Sequence, residues 1–303
     1  MQLGYQLQRA GQDYVIIEKG TSPGEFFKTY PRHRMLISIN KVNPGMLGDD
    51  EKLKYDWNSI LAPDFKKFTE YSSDYFPMAD VYLKYMADFQ EEKKLNILFN
   101  KEVTLIKKDE ETKGYTLMDK NNVVLKCNYL VVATGWNKEH VPKSAQCEGV
   151  QSYGTHSLDR ELYRNKTVLI LGKGNSALET AEHLIPTAAK IHVMSPSPAT
   201  FAWHTRYVGH IRAINNNFFD TYRLKSGNNH LNARVEQIKK VGEKYQLYAS
   251  IADQKIKVTH ILPYDHVIAC TGFMFDNSMF EESIRPDLCS KNKFPLQRPN
   301  WES

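Results

Sequence analysis

The chain has 303 residues, 41% of them hydrophobic and 25% charged, which sets disorder aside and leaves room for two domains with buried cores. Its net charge of +5 comes from basic residues interleaved with acids, as in residues 107–113; this is the pattern of a solvated surface rather than a nucleic-acid footprint, and it suits an anionic dinucleotide. There is no apolar run of about 18 residues to span a membrane, the opening MQLGYQLQRAGQ lacks the marks of a secretory signal, and the four cysteines Cys127, Cys147, Cys270 and Cys289 form no CxxC pair for zinc or a dithiol centre.

Residues 1–11 predict a helix with Leu3, Leu7 and Ala10 on one face and Gly11 at its end. Residues 14–18 predict a buried strand ending in the carboxylate of Glu18, followed by a loop punctuated by Gly20 and Gly24. Residues 51–95 are polar and aromatic, with a helical run at 81–89. Short strands are expected at 95–98, 102–107, 114–118 and 123–127. Tyr129-Leu130-Val131-Val132-Ala133 predicts a fully apolar strand running into Thr134-Gly135, and residues 136–165 a connection with several breakers.

The pattern then restarts. A buried strand at 167–171 meets a glycine loop at 172–177, a helix at 178–185 and a strand at 191–194. Strands at 232–237 and 245–251 follow, and a last apolar strand, Val267-Ile268-Ala269-Cys270, runs into Thr271-Gly272. Both halves share the order helix, strand, hairpin strands, strand into Thr-Gly. This predicts an α/β protein made of two dinucleotide-binding, Rossmann-like domains with parallel sheets and small antiparallel meanders.

Gly172-Lys173-Gly174-Asn175-Ser176-Ala177 follows an apolar strand and opens a helix. In that setting the first glycine permits the tight turn and the second lets backbone approach a pyrophosphate. The helix N-terminus offers free N–H groups and partial positive charge, and Ala177 keeps helix and strand close. An NAD site usually ends its next strand in a carboxylate. Here the residues are Met194-Ser195-Pro196-Ser197, with Arg206 shortly after and His192 or His204 as further contributors. Without an acid to repel a 2′-phosphate, the site predicts NADPH. The alternative is a ligand-free strand-to-helix turn.

The spacing from Gly172 to Ser195, laid back from Glu18, lands before residue 1. The first domain is therefore expected to lack its first strand and glycine loop, as in a fragment, splice variant or truncated gene. A parallel sheet without its central strand would leave backbone groups unpaired and apolar faces exposed. The domains are expected at 1–160 with 267–303 (FAD-binding, incomplete) and 161–266 (NADPH-binding).

Several long runs carry a resemblance. They are Tyr30-Pro31-Arg32-His33-Arg34-Met35-Leu36-Ile37-Ser38-Ile39-Asn40-Lys41, Asp56-Trp57-Asn58-Ser59, Tyr75-Phe76-Pro77, residues 172–181, residues 206–216, and Asp220-Thr221-Tyr222-Arg223-Leu224-Lys225-Ser226. These resemble the family of FAD-dependent oxidoreductase domain-containing protein 2, flavoproteins of the endoplasmic reticulum associated with degradation. More distantly, Gly154-Thr155-His156-Ser157 is similar to part of the flavin-containing monooxygenase fingerprint. The resemblance implies FAD as resident cofactor, NADPH as reductant, residence in the endoplasmic reticulum lumen, and degradation or disulfide-handling partners. It also implies flanking targeting signals that this chain does not carry, so the chain taken alone predicts the cytosol.

In such a flavoprotein NADPH would dock on Gly172, Gly174, Asn175 and Ser176, with its ribose phosphate near Ser195 and Arg206. Glu18, beside Lys19, is the residue type that holds an adenosine ribose. Thr134-Gly135 and Thr271-Gly272 would be crossover turns beside the cofactors. Val103 either touches adenine through its backbone or is only a strand residue. Asn58 is the candidate catalytic group near the reacting flavin, or a loop cap. Trp57 and Tyr85 either stack on the ring or fill core, and His156 either bridges domains or caps a local turn. No GxSxG, HExxH or carboxylate pair argues for hydrolysis. Two rival functions stay open: a catalytically weak scaffold for degradation partners, and a reductase passing hydride to an external disulfide.

Overall fold

The structure is a computed structural model. It describes residues 1–45, 48–52, 54–120, 123–135, 138–224, 228–251, 257–258, 263–290 and 294–297. Lys225 and Ser226, at the end of one resembling run, lie outside the described residues. The chain forms two compact units. The first is Met1–Tyr30, Ile39–Lys138 and Phe273–Ser303; the second is Pro31–Ser38 and Glu139–Gly272.

In the first unit, helix α1 (Gln2–Arg9) precedes strand β1 (Ile16–Ile17). The buried face of α1 is Gly4 and Tyr5, not the expected Leu3, Leu7 and Ala10; Leu3 is 51% exposed. The reason is close packing. A Cβ on Gly4 would meet Ile16 Cδ1 at 2.8 Å and the Tyr14 ring at 2.9 Å, so the bare glycine lets the helix lie on the strand. That rotation turns Tyr5 inward onto Phe89 and Leu3 outward.

Helices α2 (Glu25–Thr29) and α3 (Asp49–Lys52) lead to α4 (Ala79–Lys93), whose Tyr85, Met86 and Phe89 are buried. Phe65 and Phe68 meet Tyr85 and Phe89 with ring centroids 5.0–5.5 Å apart, mostly edge to face, as the ring quadrupole favours. Strand β2 (Ile97–Leu98) pairs parallel with β1. Strands β3 (Leu105–Lys108), β4 (Tyr115–Met118) and β5 (Val123–Cys127) form an antiparallel meander over Ile106, Leu117 and Phe280.

Tyr129-Leu130-Val131-Val132-Ala133 is not a strand: Tyr129 is 91% and Val131 68% exposed. A strand exists only where a neighbour completes its ladder of N–H and C=O pairs. Among the described residues none pairs with this segment, and apolar composition alone does not hold it.

In the second unit, β7 (Gln151–Ser152) and β8 (Thr167–Leu171) precede helix α5 (Asn175–Leu184) and β9 (Lys190–Ser195). Helices α6 (Ala202–Thr205) and α7 (Asn217–Leu224) then lead to β10 (Asn229–Val241), β11 (Lys244–Ile251), β12 (Lys257–Val258) and β13 (His266–Ala269). The sheet order is β12-β11-β10-β9-β8-β13-β7. The five strands from β10 to β7 are parallel, and β11 runs antiparallel to both of its neighbours, β10 and β12. β8 is buried almost throughout, as expected for a central parallel strand covered on both faces.

The chain passes between units at 30/31 and 38/39, around the short segment Pro31–Ser38, and again at two short strands, β6 (Lys138–Glu139) and β14 (Phe273–Met274). The expected boundaries at 160/161 and 266/267 therefore cut the second sheet. β7 and β13, assigned from sequence to the first domain, pair with each other, and β13 also pairs with β8. Ladder pairing to a neighbour, rather than nearness in sequence, decides which unit a strand joins.

Candidate functional site

The chain runs outward from β8 through α5 and β9 to β10, then returns to β13 on the other side of β8. The carboxyl end of β8 is thus a topological switch point, where open α/β sheets bind ligands. Gly172 stands there with φ +115°, a conformation an L side chain rarely adopts, and a Cβ on it would overlap the carbonyl of Cys270 at the end of β13. Gly174 differs: a Cβ on it would meet nothing within 4 Å. It faces open space at the N-cap of α5, and among the described residues no side chain caps the helix. The first-turn N–H groups remain available to an anion. Ala177 is fully buried, as expected of a residue keeping helix and strand close.

The side chains of the loop face their own protein. Lys173 is buried; its Nζ donates to the Asn232 carboxamide oxygen and, at 3.3 Å, to Ser197 O. Burial lowers its pKa to about 8. Asn175 donates from Nδ2 to His210 O (2.9 Å) and accepts at Oδ1 from Arg212 N (2.8 Å) and Asn215 Nδ2 (2.9 Å). A pyrophosphate would therefore meet the backbone of Asn175, not its side chain. Ser176 is half-buried in the first turn.

Ser195 ends β9 and donates its hydroxyl to Ser197 O at 2.7 Å. Arg206 is exposed at the C-cap of α6, φ +59°, and His204 is exposed beside it. His192 is buried in β9, hydrogen-bonded to the Tyr264 hydroxyl (2.9 Å) and to Asn229 (3.2 Å), which removes it as a phosphate ligand. Thr271 and Gly272 close β13: the Thr271 hydroxyl donates to His140 O, and Gly272 has φ +91°.

A buried polar cluster lies on the other side of α5. The Tyr153 hydroxyl donates to the Glu179 carboxylate, 3.1 Å from each oxygen, and accepts from Arg32 N (3.0 Å). His33 N donates to Glu179 (2.9 Å), and the Arg32 guanidinium donates to His156 O (2.7 Å). His156 takes a local role: Nδ1 lies 2.7 Å from Tyr153 O, while its buried Nε2 has no hydrogen-bond partner among the described residues. Burial raises the Glu179 pKa to about 7. Burial first, then repulsion from His183 and His156, lowers His33 to about 3.

In the first unit, Glu18 is half-buried and accepts a 2.7 Å bond from Gly20 N; Lys19 is exposed. Val103 is half-buried against the core of Ile106, Leu117 and Phe280, just outside β3. Thr134 and Gly135 are exposed, Gly135 at φ +67°. Trp57 is 55% exposed, whereas Tyr85 is fully buried with its hydroxyl accepting from Ile60 N, so Tyr85 fills core. Asn58 is buried, and its Nδ2 has no hydrogen-bond partner among the described residues. It does not cap its loop: Asp56 does so, accepting from Asn58 N and Ser59 N.

The whole chain, residues 1–303, matches the family described as pyridine nucleotide-disulphide oxidoreductase. The chain belongs to that family. Two relatives named FAD-dependent oxidoreductase domain-containing protein 2 are similar to it. The zebrafish (Danio rerio) protein is 36% identical over 94% of this chain and 48% of its own length. The mouse (Mus musculus) protein is 35% identical over 100% of this chain and 50% of its own. The chain thus spans about half the length of the curated relatives it matches. Among solved structures, a flavin-containing monooxygenase from Stenotrophomonas maltophilia shares the fold, with TM-score 0.71 and 17% identity over 98% of this chain and 81% of that one.

In this member of the pyridine nucleotide-disulphide oxidoreductase family, two features escaped sequence reasoning. One is the clamp role of Lys173 and Asn175, which depends on partners 24–59 residues away. The other is the Arg32–His33–Glu179 cluster. A signal for it was present: Glu179 interrupts the buried run Ala177, Leu178, Thr180, Ala181, and a carboxylate on that face needs partners.

Proposed function

We propose that this chain belongs to an NADPH-dependent FAD oxidoreductase and that its second unit takes NADPH. The supporting observation is the uncapped first turn of α5 behind Gly172 and Gly174, with open space over Gly174. The backbone N–H groups of Asn175 and Ser176 would hold the pyrophosphate, and Ser195 and Arg206 the 2′-phosphate. No carboxylate follows Ser195 to oppose that phosphate.

For FAD, the support in the first unit is the buried, orphaned amide of Asn58, a donor that a flavin acceptor would satisfy. Glu18 uses one carboxylate oxygen on Gly20 N, and the other would meet the adenosine ribose. Lys19, Trp57, Val103, Thr134 and Gly135 are the remaining contacts of this reading. When bound, FAD supplies a two-electron acceptor for the hydride that NADPH gives up.

The reading extends, as part of this proposal, to the endoplasmic reticulum lumen and to degradation or disulfide-handling partners, on the family resemblance carried by the runs such as residues 30–41 and 206–216. The test is anaerobic addition of NADPH to the FAD-loaded protein, with NADH as comparison. Bleaching of the flavin band by NADPH at lower concentration than by NADH is expected. A flavin band unmoved by either nucleotide removes the enzyme reading and favours a scaffold.

A further inference from the structure

We propose that a cleft in the first unit, lined by Lys41, Lys52 and Lys67, binds a small organic acid through its carboxylate and presents it as a substrate beside the flavin. The substrate role rests on the reading that Asn58 meets FAD; the binding of the acid does not.

The cleft holds about 260 Å³. Pockets for drug-sized ligands run from about 300 to 1,000 Å³, so its occupant is small. Besides the three lysines, its lining is Val42, Pro44, Thr69 and a single acid, Asp56.

Separate chain segments bring the lysines together. Asn40, 2% exposed, fixes the first: its N donates to Tyr75 O (2.9 Å), its Nδ2 donates to Ser72 O (2.7 Å), and its backbone bridges to Asp56. Lys41 follows it directly. Lys52 ends α3. Lys67 opens a short turn in which Lys67 N donates to the Glu70 carboxylate (2.8 Å) and Glu70 N to Lys67 O (3.0 Å). The next residue, Phe68, is fully buried and its N donates to Ser59 Oγ (2.6 Å). The backbone under Lys41 and Lys67 is thus set before a ligand arrives, which leaves only their side chains to be ordered on binding.

Asp56 does not neutralise these lysines. Its Oδ1 accepts from Asn58 N (3.2 Å) and Ser59 N (2.9 Å), and its other oxygen accepts from the Ser59 hydroxyl. Lys41 and Lys67 make no ion pair among the described residues. Ammonium groups gathered round a cleft concentrate positive potential in it, and an anion that enters relieves their mutual repulsion. Val42 and Pro44 give the same cleft an apolar wall, which a short carbon body would cover and inorganic phosphate would not. The fitting ligand is therefore a carboxylate on a small apolar frame.

Asp56 also joins the cleft to the flavin reading. It lines the cleft and holds the backbone N of Asn58, whose buried amide is the donor assigned to FAD.

The experiment is calorimetric titration of the full chain with glutarate, its neutral diamide glutaramide, and inorganic phosphate. Glutarate should bind more tightly than either of the others. K41Q and K67Q should each weaken glutarate about tenfold, through loss of one charge-assisted contact. K66Q makes the same change in charge next to Lys67 but outside the lining, and should bind glutarate as the wild type does. The proposal is overturned if the wild type binds glutarate no better than glutaramide or phosphate, or if K66Q weakens it as much as K67Q. Glutarate added to the FAD-loaded wild type should also shift the visible flavin spectrum, and K41Q should need about tenfold more for the same shift. Tight glutarate binding with an unmoved flavin spectrum overturns the substrate role and places the failure in the flavin reading rather than in the cleft.

Discussion

The carbonyl oxygen of Cys270 stands where a side chain at Gly172 would begin. That relationship joins the ends of β8 and β13 at the switch point and makes the two glycines of the loop unequal. Gly172→Ala must both relieve that overlap and hold φ +115°, so about 3 kcal/mol of stability should be lost. Gly174→Ala meets nothing and should melt within about 1 kcal/mol of the wild type, yet weaken NADPH by crowding the backbone approach. Urea melts and NADPH titration of both variants check this. Equal loss of stability in the two would contradict the geometry.

Glu179 should make stability fall with rising pH. Its pKa goes from 4.5 unfolded to about 7 folded, so between these values the folded state holds more proton and loses stability as pH climbs. The full loss is about 3 kcal/mol, complete above pH 7. His33 acts in the opposite sense: folded at about 3 and unfolded at 6.5, it adds stability as pH rises through that range. The wild type should therefore show partial cancellation between pH 4.5 and 6.5. Glu179→Gln removes only the falling limb, so its stability relative to the wild type should increase from pH 4.5 to 7. A flat difference in urea melts across that window would show that Glu179 ionises normally.

Asn58→Ala should separate ligand binding from folding. The buried Nδ2 has no partner among the described residues, so its removal relieves an unsatisfied donor worth about 1–3 kcal/mol and offsets the packing lost with the side chain. Thermal melts without flavin should move little, while FAD retention on gel filtration should drop. A large loss of stability with unchanged FAD retention would make Asn58 purely structural.

Asn165-Lys166-Thr167 forms an acceptor triplet, and Asn165 is exposed in a turn before β8 with φ +59°. If the protein resides in the endoplasmic reticulum, it should carry an endoglycosidase-sensitive mass shift that Asn165→Gln abolishes. Expression through the secretory pathway with no shift would count against a luminal protein.

Local chemistry made much of this fold legible. Residues 167–171 read as a buried strand because they are mostly apolar, and residues 172–177 as a turn into a helix because a glycine at 172 permits the tight turn. The meander strands expected at 102–107, 114–118 and 123–127 lie within three residues of their observed ends. Other features were not legible. Residues 129–133 have strand composition and no strand, because a ladder needs a neighbour. Leu3, which the sequence placed on one face of the first helix with Leu7 and Ala10, is exposed, because Gly4 lets Tyr5 take the inner face.

By itself the sequence determined where an anion could meet bare backbone: a strand, two glycines and a helix start are short-range features whose sterics need no distant partner. Only the tertiary structure decided that β13 closes the switch point, that Arg32 and His33 bury Glu179, and that Asn175 grips residues 210–215 rather than a ligand. Each of those depends on groups far apart in sequence, whose meeting is set by the packing of the whole unit.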